Sequence, residues 1–532
     1  MRICAVIPAR AGSKGVPNKN LRLIADRPLV YYAIRNALDT ELITDVIVST
    51  DSELVAGIAR QLGARVHWRD AALAGDSIAL DEVIYDAVKN AAYDYVVTLQ
   101  PTSPTMLPET LSAALTRAIA EDLDTLISVI NHPHLAWKTH EGQLVPAYEK
   151  RLNRQYLPPY YLETGAFVIS KGSAVKVNTR FGPKLSVYEL SEAEAIDVDN
   201  FYDLLVVNEI MNRQEVAIYV NGNTTRGIGH VYRALELADE FYVRPDIYYD
   251  QNQTDPKVFG VTTHRLIPVD GIGDLFDRIG RKPYTLFIND ILQTTVDYMI
   301  ALRRALPKAK IVNFEDDGEG KERADLVFNA LYSGDHLAHE YAGEKYYISS
   351  KLFLFYEPIA IKACVKRCFI SFGGADPQNY TDRLLDIVSR EEYKQYDFVV
   401  ALGRAKQNIE ELLRFNAAPN IEVLYDVANM PALMSTCDVA ITSRGRTGYE
   451  LALLGIPSLA MAQNQREEKH GFVSDENGFA YLGLNPDDAA IEQALQQYLA
   501  LTQAERQRLQ DVLLSHDLRN GRKRVISLIN GL

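Results

Sequence analysis

Cysteine is scarce in this chain of 532 residues: Cys4, Cys364, Cys368 and Cys437 are the only four. They are too few and too scattered for a disulfide framework, and Cys364 with Cys368 lacks the second pair that a zinc site needs. All four read as reduced, mostly buried thiols. Long apolar runs are missing too. The start of the chain has no apolar stretch of the signal-peptide kind, and Gly, Pro or a charge breaks every later run before it could span a bilayer. Basic residues are outnumbered, 56 Lys and Arg against 70 Asp and Glu, a net charge of -14. That balance excludes a general nucleic-acid or anionic-membrane binder. Neither G-x-x-x-x-G-K-[ST] nor G-x-G-x-x-G follows the first strand, which excludes the two commonest phosphate loops there. No short-period repeat or low-complexity segment occurs. A cytoplasmic protein with no nucleic-acid and no membrane partner is expected.

With 47% apolar residues, the chain can fill the cores of two to four domains. From residue 1 to about 213, short apolar runs (RICAVI, VIVST, YVVTLQ, TLISVI, GAFVIS) alternate with helical patterns. That alternation predicts an α/β domain with a mostly parallel sheet. Ligands in such sheets bind beyond the carboxyl ends of the strands. The pattern restarts at EVAIYVNG, so a domain boundary is placed between 213 and 214. Two further α/β sets, at about 214–360 and 361–532, predict two Rossmann-like lobes facing one cleft.

The opening MRICAVIPARAGSKGVPNKN runs an apolar strand, ended by Pro8, into a loop carrying Arg10, Lys14 and Lys19 as cations. Gly12 and Gly15 let backbone approach a ligand closely. A local basic loop in an acidic chain suits a small polyphosphate. IPARxGSKGxxxKN resembles the start of the CMP-sialic acid synthetases, the acylneuraminate cytidylyltransferases, and further motifs extend the likeness to about residue 210. The resemblance implies that Arg10, Gly12, Ser13, Lys14, Lys19 and Asn20 meet the phosphates and nucleotide of CTP. VSTDSE (Val48 to Glu53) and the segment around Arg69 match in place, assigning Arg69 to the nucleotide pocket, although Asp70 stands where the family has Pro. LQPTSP puts Gln100 at the sugar, with Thr105 and Met106 replacing the usual Leu-Arg. RLNRQYLPPYYLETGA puts Arg154 and Gln155 near the sugar carboxylate, with Thr164 where the family has Asn.

In EAIDVDN, Asp197 and Asp199 alternate along a predicted strand and so share a face. The resemblance gives them Mg²⁺, a cation that takes one or two carboxylates plus phosphate oxygens. The implied reaction is attack of the anomeric hydroxyl of a nonulosonic acid on the α-phosphorus of CTP, with pyrophosphate leaving. Arg10 and Lys14 would stabilise developing charge, and Asp199 or a metal-bound water is an open candidate for the base. Which nonulosonic acid is activated stays open. The resemblance also implies a homodimer through this domain.

In the second half, RGIGHVYRALELA places Gly227, Gly229 and His230 where a strand passes into a helix, and backbone N–H groups there favour phosphate. The stretch resembles the GxGHxxR signature of the UDP-sugar hydrolases of the pseudaminic acid pathway, relatives of the GT-B glycosyltransferases, in which the matching His is catalytic. SFGGADPQNYT and the Asp316-Asp317 pair before RADLVFN extend the likeness. The RGIGHVYR helix start gives Gly229 a nucleotide contact, and RGRTGYELALLGIPSLAMAQNQ implies nucleotide contacts at Gly445, Thr447 and Glu450 and sugar contacts at Asn464 and Gln465. Arg444 and Arg446 stand where the hydrolases carry small residues. The expected whole is a CMP-nonulosonate synthetase joined to a hydrolase of a UDP-diacetamido-trideoxy sugar. A glycosyltransferase, or a non-catalytic binding or oligomerisation module, are the alternatives for the second half.

Overall fold

Aliphatic and β-branched runs of five or six residues become the central strands of three sheets, because only positions buried on both faces suit such sequences. A computed structural model describes residues 1–12, 15–75, 78–222, 228–332 and 336–532. The chain divides into two compact units, Met1–Arg213 and Gln214–Leu532. Among the described residues no helix is long and apolar enough to cross a membrane.

The first unit holds a seven-stranded sheet in the order Leu185–Glu189, Thr125–Asn131, Tyr161–Lys171, Tyr95–Leu99, Ile3–Pro8, Asp45–Thr50, Arg65–Trp68. Tyr161–Lys171 runs antiparallel to both neighbours, and every other pairing is parallel. The loops after Ile3–Pro8, Asp45–Thr50 and Tyr95–Leu99 therefore open on the same edge. Part of the VSTDSE motif is local architecture: Ser52 caps the helix Glu53–Leu62 by accepting from the Val55 N–H, and Gly63 ends it at φ 92°.

The segment carrying Asp197 and Asp199 is not the predicted strand. Residues 196–200 are irregular. The Val198 N–H donates to the Thr102 carbonyl at 2.8 Å, and Val198 is fully buried. The chain cannot join a ladder because Asn200 starts the helix Phe201–Met211 with a capping box: its Oδ1 accepts from Tyr202 and Asp203, and the Asp203 carboxylate accepts from the Asn200 N–H.

The second unit contains two sheets whose described strands all pair in parallel. One has seven strands, centred on Val216–Val220 and Leu286–Asp290, and the other six, centred on Arg367–Ser371 and Val439–Ser443. Each is filled with its own apolar core, giving the two Rossmann-like lobes of a GT-B fold. The terminal helix Gly521–Asn530 falls in the second set by sequence, yet Val525 and Ile529 pack into the first lobe's core. Arg522 fixes that return, donating to the Ser349 carbonyl at 2.5 Å and to Glu240 at 2.8 Å.

Asn200→Ala removes two accepted N–H bonds at the helix start. It is expected to cost about 1 kcal/mol and to lower the first unit's melting transition by about 2–4 °C, read by scanning calorimetry.

Candidate functional site

In the first unit, the loop after Ile3–Pro8 and the Asp197–Asp199 segment lock together. The Lys19 ammonium donates to the Val198 carbonyl at 2.6 Å and lies 3.3 Å from Asp199 Oδ1. A Cβ on Gly15 would meet the Asp199 carbonyl oxygen at 2.2 Å, so only glycine allows this approach. Asn20 donates to the Arg10 carbonyl at 2.9 Å, and the Ala11 N–H donates to Asp51 at 2.7 Å. Asn20 thus braces the loop. Arg10 reaches the Ala74 carbonyl at 3.5 Å, and open space surrounds Gly12. Ser13 and Lys14 lie outside the described residues. Arg69 donates to the Ser49 carbonyl at 2.9 Å, and burial draws its guanidinium below the usual range.

Strand Tyr161–Lys171 carries a bulge between Glu163 and Val168, with Gly165 at φ 73°. A Cβ there would lie 3.1 Å from Gln100 Nε2 and 3.2 Å from Asp197 Oδ2. The bulge therefore brings Gln100 and Asp197 to one point, a use to which bulges beside sites are often put. Thr105 and Met106 are buried in the core. Thr164 is buried too, bonded to the Ser128 hydroxyl at 2.9 Å. Arg154 and Gln155 stand exposed on a short 3-10 turn, with Arg154 4.0 Å from Glu192; among the described contacts nothing joins them to Gln100 or Asp197.

Asp197 Oδ1 is buried with no hydrogen-bond partner, and burial pushes its carboxyl up. Such an orphaned acceptor beside an exposed carboxylate fits a divalent cation held by Asp197 and Asp199. No group of three or more His, Cys, Asp or Glu is arranged for a metal among the described residues, so two carboxylates and the substrate's phosphates would complete the set.

In the second unit, a cavity of about 430 Å³ lies between the lobes. Gly229 opens the helix Gly229–Ala238 and places His230 and Arg233 on one face, one turn apart. Asp290 ends its strand at 0% exposure; its two oxygens take His230 Nδ1 at 2.5 Å and Arg233 at 2.5 and 2.8 Å. Arg233 also donates to Glu315 at 3.0 Å, and Glu315 accepts from the Ala330 and Leu331 N–H groups at 3.2 Å. Burial alone would raise the Asp290 carboxyl, but Arg233 and His230 more than cancel it and hold it at about 2. Burial pushes the His230 imidazole down against the pull of Asp290. The ring is then neutral near pH 7, with the Nδ1 proton given to Asp290. Nε2 has no partner among the described residues. His230 lines the cavity wall, and its Nε2 can take a proton from a water or hydroxyl.

Across the cleft, Gly445 caps the helix Arg446–Leu453, and Thr447 and Glu450 line the same cavity. Burial pushes the Glu450 carboxyl up to about 7. Asn464 lines the wall too, but its side chain caps the following turn, accepting from Arg466 and Glu467. Gln465 is exposed and outside the cavity, because that turn points it outward. Gln463 takes its place, buried in the wall. Asp316 is a structural acceptor for Thr294, Asn313 and Gly318. Arg226 and Gly227 lie outside the described residues.

Asp290, Arg233 and Glu315 were given no role by sequence reasoning; the signal available was an Asp at the end of the TLFIND strand. Asp290→Asn leaves Arg233 and Glu315 imperfectly compensated and is expected to destabilise the second unit by about 3–5 kcal/mol. A carboxyl held below its ordinary value gives stability that is present above that value and lost as pH falls through the folded one. Wild type should therefore lose stability relative to Asp290→Asn between about pH 4 and pH 2, read by denaturant unfolding across that range.

A family model described as Cytidylyltransferase matches residues 4–162. A CMP-N,N'-diacetyllegionaminic acid synthase of Legionella pneumophila is 32% identical over 238 residues, 41% of this chain and 100% of that protein. N-acylneuraminate cytidylyltransferase A of Danio rerio is 32% identical over 207 residues, 37% of this chain and 48% of that protein, so the match spans about half that relative's length. Among solved structures, a CMP:2-keto-3-deoxy-manno-octonic acid synthetase complexed with CTP aligns with 40% of this chain and 98% of its own, at TM-score 0.33 and 16% identity. Acinetobacter baumannii MurG aligns with 60% of this chain and 100% of its own, at TM-score 0.45 and 12% identity. Through its first unit, the chain belongs to the cytidylyltransferase family.

Proposed function

We propose that the first unit transfers CMP from CTP to a sialic-acid-like 2-keto sugar acid, releasing pyrophosphate, and that the second hydrolyses a UDP-diacetamido-trideoxy sugar. For the first unit, the carrying observation is the convergence of Lys19, Gln100, Asp197 and Asp199 beyond the carboxyl ends of the sheet. The relatives named for N-acylneuraminate and diacetyllegionaminate support the substrate class. Arg10, Lys14 and Lys19 place positive charge along the triphosphate, and Gln100 with Arg154 and Gln155 orients the sugar acid. Mg²⁺ held by Asp197 and Asp199 supplies further charge to the phosphate oxygens. Asp197→Asn should lower CMP transfer by about 100-fold or more, and EDTA should abolish it while leaving the second unit's reaction intact; pyrophosphate release reads both.

For the second unit, the carrying observation is the buried His230–Asp290 pair in the wall of the cavity. His230 takes a proton from water as the oxygen bonds the anomeric carbon. The bond from that carbon to the phosphate oxygen breaks, its electron pair leaving with UDP.

Incubating the whole protein without CTP against a panel of UDP-2,4-diacetamido-trideoxyhexoses should release UDP and free sugar in equal amounts, with His230→Ala inactive. Because burial lowers the imidazole, the acid limb of kcat/KM should fall below pH 6.5, the ordinary histidine value. Release only when an acceptor is added would make the second unit a glycosyltransferase, and no release with any acceptor would leave it a binding module.

A further inference from the structure

Arg446 stands where the resembling hydrolases have a small residue, and its surroundings give that departure a use. It is the first residue of the helix Arg446–Leu453 in the second lobe, yet it reaches across the cleft to the first. A Cβ on Gly229 would lie 2.6 Å from Arg446 Cδ, so glycine at the start of the opposite helix is what admits the side chain. The guanidinium sits 5.1 Å over the Tyr347 ring and donates one N–H to the Ile348 carbonyl at 3.2 Å. Among the described residues no carboxylate lies within ion-pair distance of it, although Glu450 follows one turn later on the same helix. A guanidinium whose partners among the described residues are the Ile348 carbonyl and the Tyr347 phenol lines a cavity at the meeting of two helix N-termini and keeps further N–H donors for a ligand.

A second observation points to a ligand in the same place. His230 is 8% exposed and lines this cavity, and its Nε2 has no partner among the described residues. The positive charge of Arg446 is felt at His230, Glu315, Glu450 and His470, which places it among the groups that would surround a reacting molecule. Its field also disfavours a protonated His230, so cation and neutral base support each other.

We propose that Arg446 is the phosphate-binding cation of this cleft, contacting the diphosphate of a nucleotide-sugar and neutralising the charge that builds on the departing nucleoside diphosphate. The assignment rests on the nucleotide-sugar reading of the second unit and adds to it a residue that meets the leaving group. As the bond between anomeric carbon and phosphate oxygen breaks, the electron pair stays on that oxygen, and the guanidinium fork can hold it with two parallel hydrogen bonds. The helix starts at Gly229 and Arg446 add their aligned N–H groups. Because Arg446 belongs to one lobe and rests on residues of the other, a bound diphosphate also ties the lobes together.

The test is calorimetric titration of the full chain and of Arg446→Gln, Arg446→Ala and Arg446→Lys with UDP, UMP and uridine, after checking that the free variants melt with wild type. Arg446→Gln and Arg446→Ala should weaken UDP at least 10-fold while changing uridine less than 2-fold, with Arg446→Lys between them. The kcat for sugar release should fall more than KM rises, since the interaction strengthens as charge develops. Equal losses for UDP and uridine, or UDP affinity unchanged, would overturn the assignment. Wild type that ignores UDP but binds another nucleoside diphosphate with the same Arg446 dependence would overturn the uridine reading alone. Wild type that binds no nucleoside diphosphate would overturn both.

Discussion

One buried cation organises the second half of this protein. Arg233, 3% exposed, binds Asp290 with two donors and Glu315 with a third. A guanidinium taken from water is tolerable only with this degree of compensation. Its presence fixes the ends of two neighbouring strands, Leu286–Asp290 and Lys310–Phe314, against the helix that carries His230. Glu315 adopts φ 52°, a left-handed conformation uncommon for a non-glycine residue, and its two accepted backbone N–H bonds with the Arg233 contact over-determine it. The consequence for chemistry is an imidazole of set tautomer, presented by a scaffold rather than by a mobile loop.

The first unit reaches its site by another device, close backbone approach. Gly15 against the Asp199 carbonyl and Gly165 against Gln100 and Asp197 are positions where a side chain has no room. They bring a cationic loop, an acidic segment and the Gln100 amide into one region, with the acidic segment outside any regular element. Both units therefore place charge beyond the carboxyl ends of parallel strands, one by glycine contacts and the other by a buried ion network.

The fold was largely legible because the sheets of the second unit and most of the first consist of short strands rich in aliphatic and aromatic residues and mostly buried, a signal that needs no tertiary knowledge. Short and half-polar edge strands, such as Arg65–Trp68 and Leu185–Glu189, carried too little pattern to be found. The Asp197–Asp199 segment read as a strand since its alternation is real, but the capping box at Asn200 and the pairing of Val198 with Thr102 decided otherwise. His230, Gly229 and Glu450 stood out through their motifs. Asp290 and Glu315 did not, as they lie far from the GxGHxxR motif in sequence and each alone is an unremarkable residue at the end of a strand, and Arg233, though the last residue of that motif, was given no role. Gln465 was misplaced because the register of a four-residue turn, set by Asn464 as its cap, is a tertiary outcome.

The most direct measurement of this account is the protonation state of His230, followed by nitrogen-15 NMR of histidine-labelled full-length protein and assigned by difference against His230→Gln. The buried network predicts a neutral ring bearing its proton on Nδ1, titrating below the ordinary histidine value. A ring that titrates at that value, or carries its proton on Nε2 at neutral pH, would contradict it.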